Sequence, residues 1–159
     1  MELLPQAVSQ VIYPRMAEQY GRTHDLAQII RMSVRPTIML VAGIVPLAAL
    51  GWLLAKPLTS YILLGKFDDA VPAMQWSLLG SIVLSFCPVF NVYNVVRRQD
   101  LYGIVQALSI AAYFASLMWL VRGGVELAAF PKAMLVGRVV YAITGYAFLF
   151  LVYRRHRNP

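Results

Sequence analysis

Four polar side chains stand inside otherwise apolar sequence: Asn91, Asn94 and Arg98, spaced i, i+3 and i+7, and Arg138, alone in AMLVGRVVYAITGY. On one helix the first three share a stripe. Such a stripe can line a wet groove and meet an anion, because a charged headgroup crossing lipid needs buried cations and a polar path to offset its desolvation. The same residues also fit a plainer arrangement, with the two amides bonding neighbouring helices and Arg98 reaching lipid headgroups. Arg138 has two options as well, to face inward as an intramembrane cation or to snorkel outward along its own stem. Gln75 and Gln106 fit interhelical hydrogen bonding. Catalytic chemistry has no such constellation. His24 and His156 lie in charged flanks, the adjacent acids Asp68 and Asp69 sit in a turn beside Lys66, and no glycine-rich phosphate loop occurs. The expectation is a protein that is not an enzyme and uses no cofactor and no metal. No acid falls within an apolar run, which argues against a small proton-coupled exporter.

The elements that position these residues follow from where charge is missing. Of 159 residues, 60% are hydrophobic and 13% charged, outside the usage of soluble domains. Residues 36–55, 70–96 and 101–121 carry no charge over 20, 27 and 21 positions, and 133–153 carries only Arg138. Each run is long enough to cross the roughly 20 residues of a bilayer core as a helix. None shows the alternation of barrel strands. The expected fold is therefore an all-α integral membrane protein with four transmembrane helices forming one bundle over 36–153. Pro46 and Pro88 fall inside the first two runs and are expected to kink them. Cys87, the single cysteine, lies in the second run and reads as a buried, inert thiol.

Charge also sets orientation. The net charge of +7 belongs to clusters flanking the runs, not to a nucleic-acid-binding face. Residues 14–35, 97–100 and 154–159 hold nine Lys and Arg, against four in 56–69 and 122–132. The heavier side is expected to be cytoplasmic, with both termini inside, Arg97-Arg98-Gln99-Asp100 as a cytoplasmic hairpin and 154–159 as a basic tail. The opening MELLPQAVSQVIY is too short to span and reads as the end of a preceding helix, so residues 1–35 are expected to join that end to a cytoplasmic connector. Within it, Thr23 is a candidate N-cap, and Leu26, Ile29, Ile30 and Val34 form an amphipathic face that either lies at the interface or belongs to an ordinary connecting helix. Gly103, Ala107, Ala111 and Ala115 recur every four residues, a small-residue ladder of the kind that packs helices closely.

Three segments carry a family resemblance: VSQVIYPRMAEQYGRTHDLAQIIR, LTSYILLGKFDDAVPAMQWSLLG and NVYNVVRRQDLYGIVQAL. Their order resembles the C-terminal part of polysaccharide flippases of the multidrug/oligosaccharidyl-lipid/polysaccharide exporter superfamily, over nearly the whole chain. GGVELAAFPKAMLVGR departs from the family pattern by adding Glu126, Lys132 and Arg138. The resemblance implies part of the C-terminal lobe of a transporter with twelve or more helices, the remainder supplied by preceding helices or a partner membrane protein. It implies flipping of a polyprenyl-pyrophosphate-linked oligosaccharide across the bacterial inner membrane for lipopolysaccharide or other surface polysaccharide synthesis. Asn91, Asn94, Arg98 and Arg138 are the candidate substrate contacts on physical grounds, since none maps onto a family contact. Two other readings stay open: a stand-alone four-helix carrier of polyprenyl-phosphate sugars, and a noncatalytic membrane subunit of a glycan assembly complex.

Overall fold

In a computed structural model, residues 3–62, 64–124 and 126–157 are described, and among them all regular structure is helical. The first helix, α1 (Leu3–Thr23), runs through Pro14, so the apolar opening and the charged stretch after it form one element. Met1 and Glu2, part of the expected end of a preceding helix, lie outside the described residues. The turn to α2 is made at His24, which takes a positive φ of 50°, and Asp25 caps the new helix by accepting from the Ala27 and Gln28 amides at 2.8 and 3.3 Å. Thr23, expected to be that cap, instead closes α1, its hydroxyl donating to the Gln19 carbonyl at 3.0 Å. A carboxylate is the better cap because it also complements the positive helix N-terminus.

Helix α2 (Leu26–Ile62) is 37 residues long, about 55 Å. That exceeds one bilayer core, so the expected amphipathic connector and first span are a single helix. Its buried residues, Leu26, Ile29, Ser33, Thr37, Ile44, Ala48, Ala55 and Thr59, keep one narrow stripe along the whole length. Ile30 is half-buried and Val34 exposed. Ser33 and Thr37 enter the stripe because each hydroxyl is satisfied within the helix, by the Ile30 and Ser33 carbonyls at 2.8 Å. The helix is unbroken at Pro46.

The second run behaves differently. It divides into a 3₁₀ turn (Asp68–Ala70), α3 (Val71–Ser85), a second 3₁₀ turn (Cys87–Phe90) and α4 (Asn91–Val95), and its two halves meet at 45°. The expected continuous helix over 70–96 is thus divided by a bend at 86–90. Pro88 accounts for it, having no N–H to give and a ring that clashes with the carbonyl four residues earlier. In lipid the freed carbonyls need partners. Two side chains add bonds at the break: the Tyr146 hydroxyl donates to the Phe86 carbonyl at 2.6 Å, and Asn91 Nδ2 joins its own backbone N–H on the Pro88 carbonyl at 3.0 Å. Cys87 is buried at this break, its thiol facing the Val83 carbonyl at 3.6 Å.

Helices α5 (Gln99–Val121) and α6 (Ala129–Arg157) complete the bundle. The expected tail continues α6 to Arg157, while Asn158 and Pro159 lie outside the described residues. Among the described residues three helices, α2, α5 and α6, are long and apolar enough to cross a membrane, and four elements are if the broken pair counts as one span. In space they form a row, α5 beside α6, α6 beside α3 and α3 beside α2, with α1 against the start of α2 and against α4. Large apolar side chains such as Leu53, Met118, Trp119, Ile143 and Phe150 point away from the bundle, as contact with lipid requires.

The expected ladder meets no other helix of this chain among the described residues. Gly103, Ala107, Ala111 and Ala115 are all exposed, and a Cβ built on Gly103 meets nothing within 4 Å. The opposite side of α5 meets α6: Val105 is fully buried, Ser109 Oγ donates to the Gly137 carbonyl at 3.0 Å, and a Cβ on Gly137 would lie 3.1 Å from both the Ser109 carbonyl oxygen and Tyr113 Cβ. Close approach is therefore permitted by Ala133 and Gly137 of α6. Periodicity groups residues on a face without saying which face meets protein. Leucine at Ala112, on the Val105 and Ser109 side, is expected to destabilise the detergent-solubilised protein by about 1–3 kcal/mol. Leucine at Ala111 should leave its thermal unfolding nearly unchanged. Equal shifts for the two variants would contradict this α5 orientation.

Candidate functional site: an arginine on a glycine shelf

Chain geometry separates the residues that the sequence aligned. α4 ends in a Schellman arrangement, with the Arg98 amide bonding back to the Tyr93 carbonyl at 2.9 Å, the Arg97 amide to the Asn94 carbonyl at 3.4 Å, and Arg97 at φ 56°. This left-handed residue ends the helix, so Arg98 does not continue the Asn91 and Asn94 stripe. Arg98 instead begins α5 and holds Asp100 in a two-pronged pair, Nε to Oδ1 and Nη2 to Oδ2, each at 3.1 Å. Its side chain lines a cleft of about 270 Å³ together with Tyr20, Phe148 and Arg155. Asn91 is spent on the break, and Asn94 is half-buried. The three do not form one polar groove.

Arg138 has a different setting. Near the start of α6, Lys132 sits 6.0 Å from the centre of the Trp76 ring and 3.5 Å from Glu126 Oε2. The indole and the carboxylate both attract the ammonium. Arg138 lies six residues further along, about 9 Å along the helix. Its half-buried side chain turns toward α3, where a Cβ built on Gly80 would stand 2.6 Å from Nη1 and 3.4 Å from Cδ. The absence of a side chain at Gly80 thus makes the shelf on which the guanidinium rests. Within the bundle Arg138 thus packs against α3 at Gly80.

Beside the shelf a groove of about 660 Å³ opens sideways between α3 and α5, floored by α6. Ser77 comes from α3, Ser109 and Tyr113 from α5, and Gly137 and Arg138 from the floor. The local sequence explains the shape, because adjacent Gly137 and Arg138 let α5 approach on one side of α6 and place a long cation toward α3 on the other. A guanidinium in this apolar surround can meet a phosphate-type anion by charge-assisted hydrogen bonds, whereas the Ser77 and Ser109 hydroxyls are committed to the Ala73 and Gly137 carbonyls. Ser77, Gly80 and Ser109 carry no sequence signal as a site. Their only hint is that small residues in spans allow close approach.

Below the groove, an aromatic cluster locks the break to α5 and α6. Phe90 is 1% exposed and its ring meets Tyr141 and Tyr146 edge-on at 5.2 and 5.0 Å. The Tyr93 hydroxyl donates to the Gly145 carbonyl, and the Tyr141 hydroxyl donates to that of Tyr102 at 3.2 Å. Gln106 bonds Tyr102 at 3.1 Å within its own helix, so it supports an interhelical network without crossing to α6 itself. Gln75 is half-buried on α3. This cluster fixes the half of the bundle against which the Arg138 groove is set. No protein-family model, curated protein or solved structure matches the chain.

Proposed function

We propose that this multi-pass membrane protein is a transport lobe for a polyprenyl-pyrophosphate-linked oligosaccharide, moving it across the bacterial inner membrane for surface polysaccharide synthesis. Both termini are cytoplasmic in this reading, and no chemical step is catalysed. The observation that carries it is Arg138, held inside the bundle on the Gly80 shelf beside a groove that opens to lipid. Desolvating a pyrophosphate is the main barrier to crossing, and a cation partway through the membrane lowers it. A groove open on one side supplies only half of a path, so the opposite wall comes from a second lobe or a partner membrane protein. The order of segments that resembles polysaccharide flippases supports the choice of substrate class.

The test replaces Arg138 in the native host. Arg138→Gln keeps hydrogen-bonding capacity but removes the charge, and surface glycan is expected to fall by about tenfold or more at normal protein level. Arg138→Lys should recover part of it, since charge survives while the planar fork does not. Full export by Arg138→Gln would overturn the proposal.

A further inference from the structure

A second groove lies at the other half of the bundle, between α2 and α6, which barely touch each other. It holds about 460 Å³ and is floored by the broken span, with Phe86 and Val89 below, Val34 and Ile38 on α2, and Leu149 on α6. The lining is almost wholly apolar, and it runs along α2 from Ala27 to Ile38, about 16 Å. Near its charged end stands Arg31, exposed and without an ion pair among the described residues. Tyr153 of α6 lines the same end. The groove is set into helices apolar enough to cross a membrane, so its apolar walls face acyl chains rather than water.

We infer that this groove is a binding slot for one anionic bilayer phospholipid, with an acyl chain against Val34, Ile38 and Leu149 and the phosphate on Arg31. Charge and shape select that occupant. A single arginine at the mouth of an apolar trough matches one anionic headgroup above one acyl chain, by charge at one end and apolar contact along the rest. The break at Pro88 creates the slot, because a straight helix over 85–91 would carry its side chains along a different line from the 3₁₀ turn that now floors it. The slot is independent of the Arg138 groove, so either can fail alone.

The experiment places the full chain in phosphatidylcholine nanodiscs and adds phosphatidylglycerol carrying a photoactivatable group on its acyl chain. Saturable cross-linking to α2 and α6 residues of the slot is expected, competed by unlabelled phosphatidylglycerol and not by added phosphatidylcholine. Arg31→Gln should weaken the apparent affinity about tenfold, and Val34→Trp should block labelling by filling the trough. Arg31→Gln leaves the lining intact, so it remains informative if Val34→Trp does not fold. Labelling that is equal for the zwitterionic lipid, or unchanged by Arg31→Gln, overturns the inference. Competition by a polyprenyl phosphate at concentrations where phosphatidylglycerol does not compete overturns it too, by assigning the slot to an isoprenoid chain.

Discussion

Gly145→Ala is expected to destabilise the protein by about 1–3 kcal/mol, although the same change in an ordinary helix stabilises by about 0.5–1 kcal/mol. Two effects oppose each other at this position. Alanine restricts the unfolded chain and favours helix, but its methyl would overlap the Phe90 ring. That ring cannot swing away, since it is buried and held edge-on by Tyr141 and Tyr146. Overpacking therefore wins. The measurement is thermal or SDS-induced unfolding of the purified protein in detergent. Phe90→Leu supplies the control: in that background Gly145→Ala should cost less, and the coupling between the two sites should approach 1 kcal/mol or more, as roughly expected for residues in direct contact. Additive effects would show that the ring and the glycine do not meet.

Gly80→Ala makes the opposite case. A methyl there would also intrude, but on the far end of Arg138, a flexible side chain that can move. The fold should keep its stability or gain slightly, while the guanidinium leaves the shelf. In the native host, surface glycan is then expected to fall toward the level of Arg138→Gln at unchanged protein abundance. Wild-type glycan in Gly80→Ala would detach the shelf from transport and leave Arg138 to be judged by its own substitutions. Loss of the protein instead of loss of export would mean that Gly80 serves helix packing. The two glycines are alike in sequence context, each inside an apolar run, and differ only in what stands opposite.

That difference marks how far a linear reading goes. The membrane class and the all-helical fold were legible because each depends on composition over about 20 consecutive residues. Arg138 was legible as a candidate because any cation in a span is costly. The Asn91, Asn94 and Arg98 stripe was not, since helical spacing assumes an unbroken helix and the backbone turns left-handed at Arg97. Thr23 lost its capping role to Asp25, two residues on, because the turn at His24 starts the helix after Asp25, whose carboxylate also suits the helix N-terminus.

By itself the sequence determined that long apolar helices must bury their own backbone polarity in lipid, that Pro88 would disturb one of them, and where the cations would flank them. Tertiary structure alone decided which face of α5 meets α6, turning Gly103, Ala107, Ala111 and Ala115 outward and bringing Ala133 and Gly137 into contact with Ser109 and Ser116. It also decided that Pro46 stays within a continuous helix while Pro88 stands at a break to whose carbonyls Tyr146 and Asn91 donate, and that Gly80 stands opposite Arg138. The physical reason is common to all of these. Local pattern records which residues share a face or lack a donor, whereas the partner across a helix interface comes from distant chain and is set by packing and hydrogen-bond satisfaction that no local window contains.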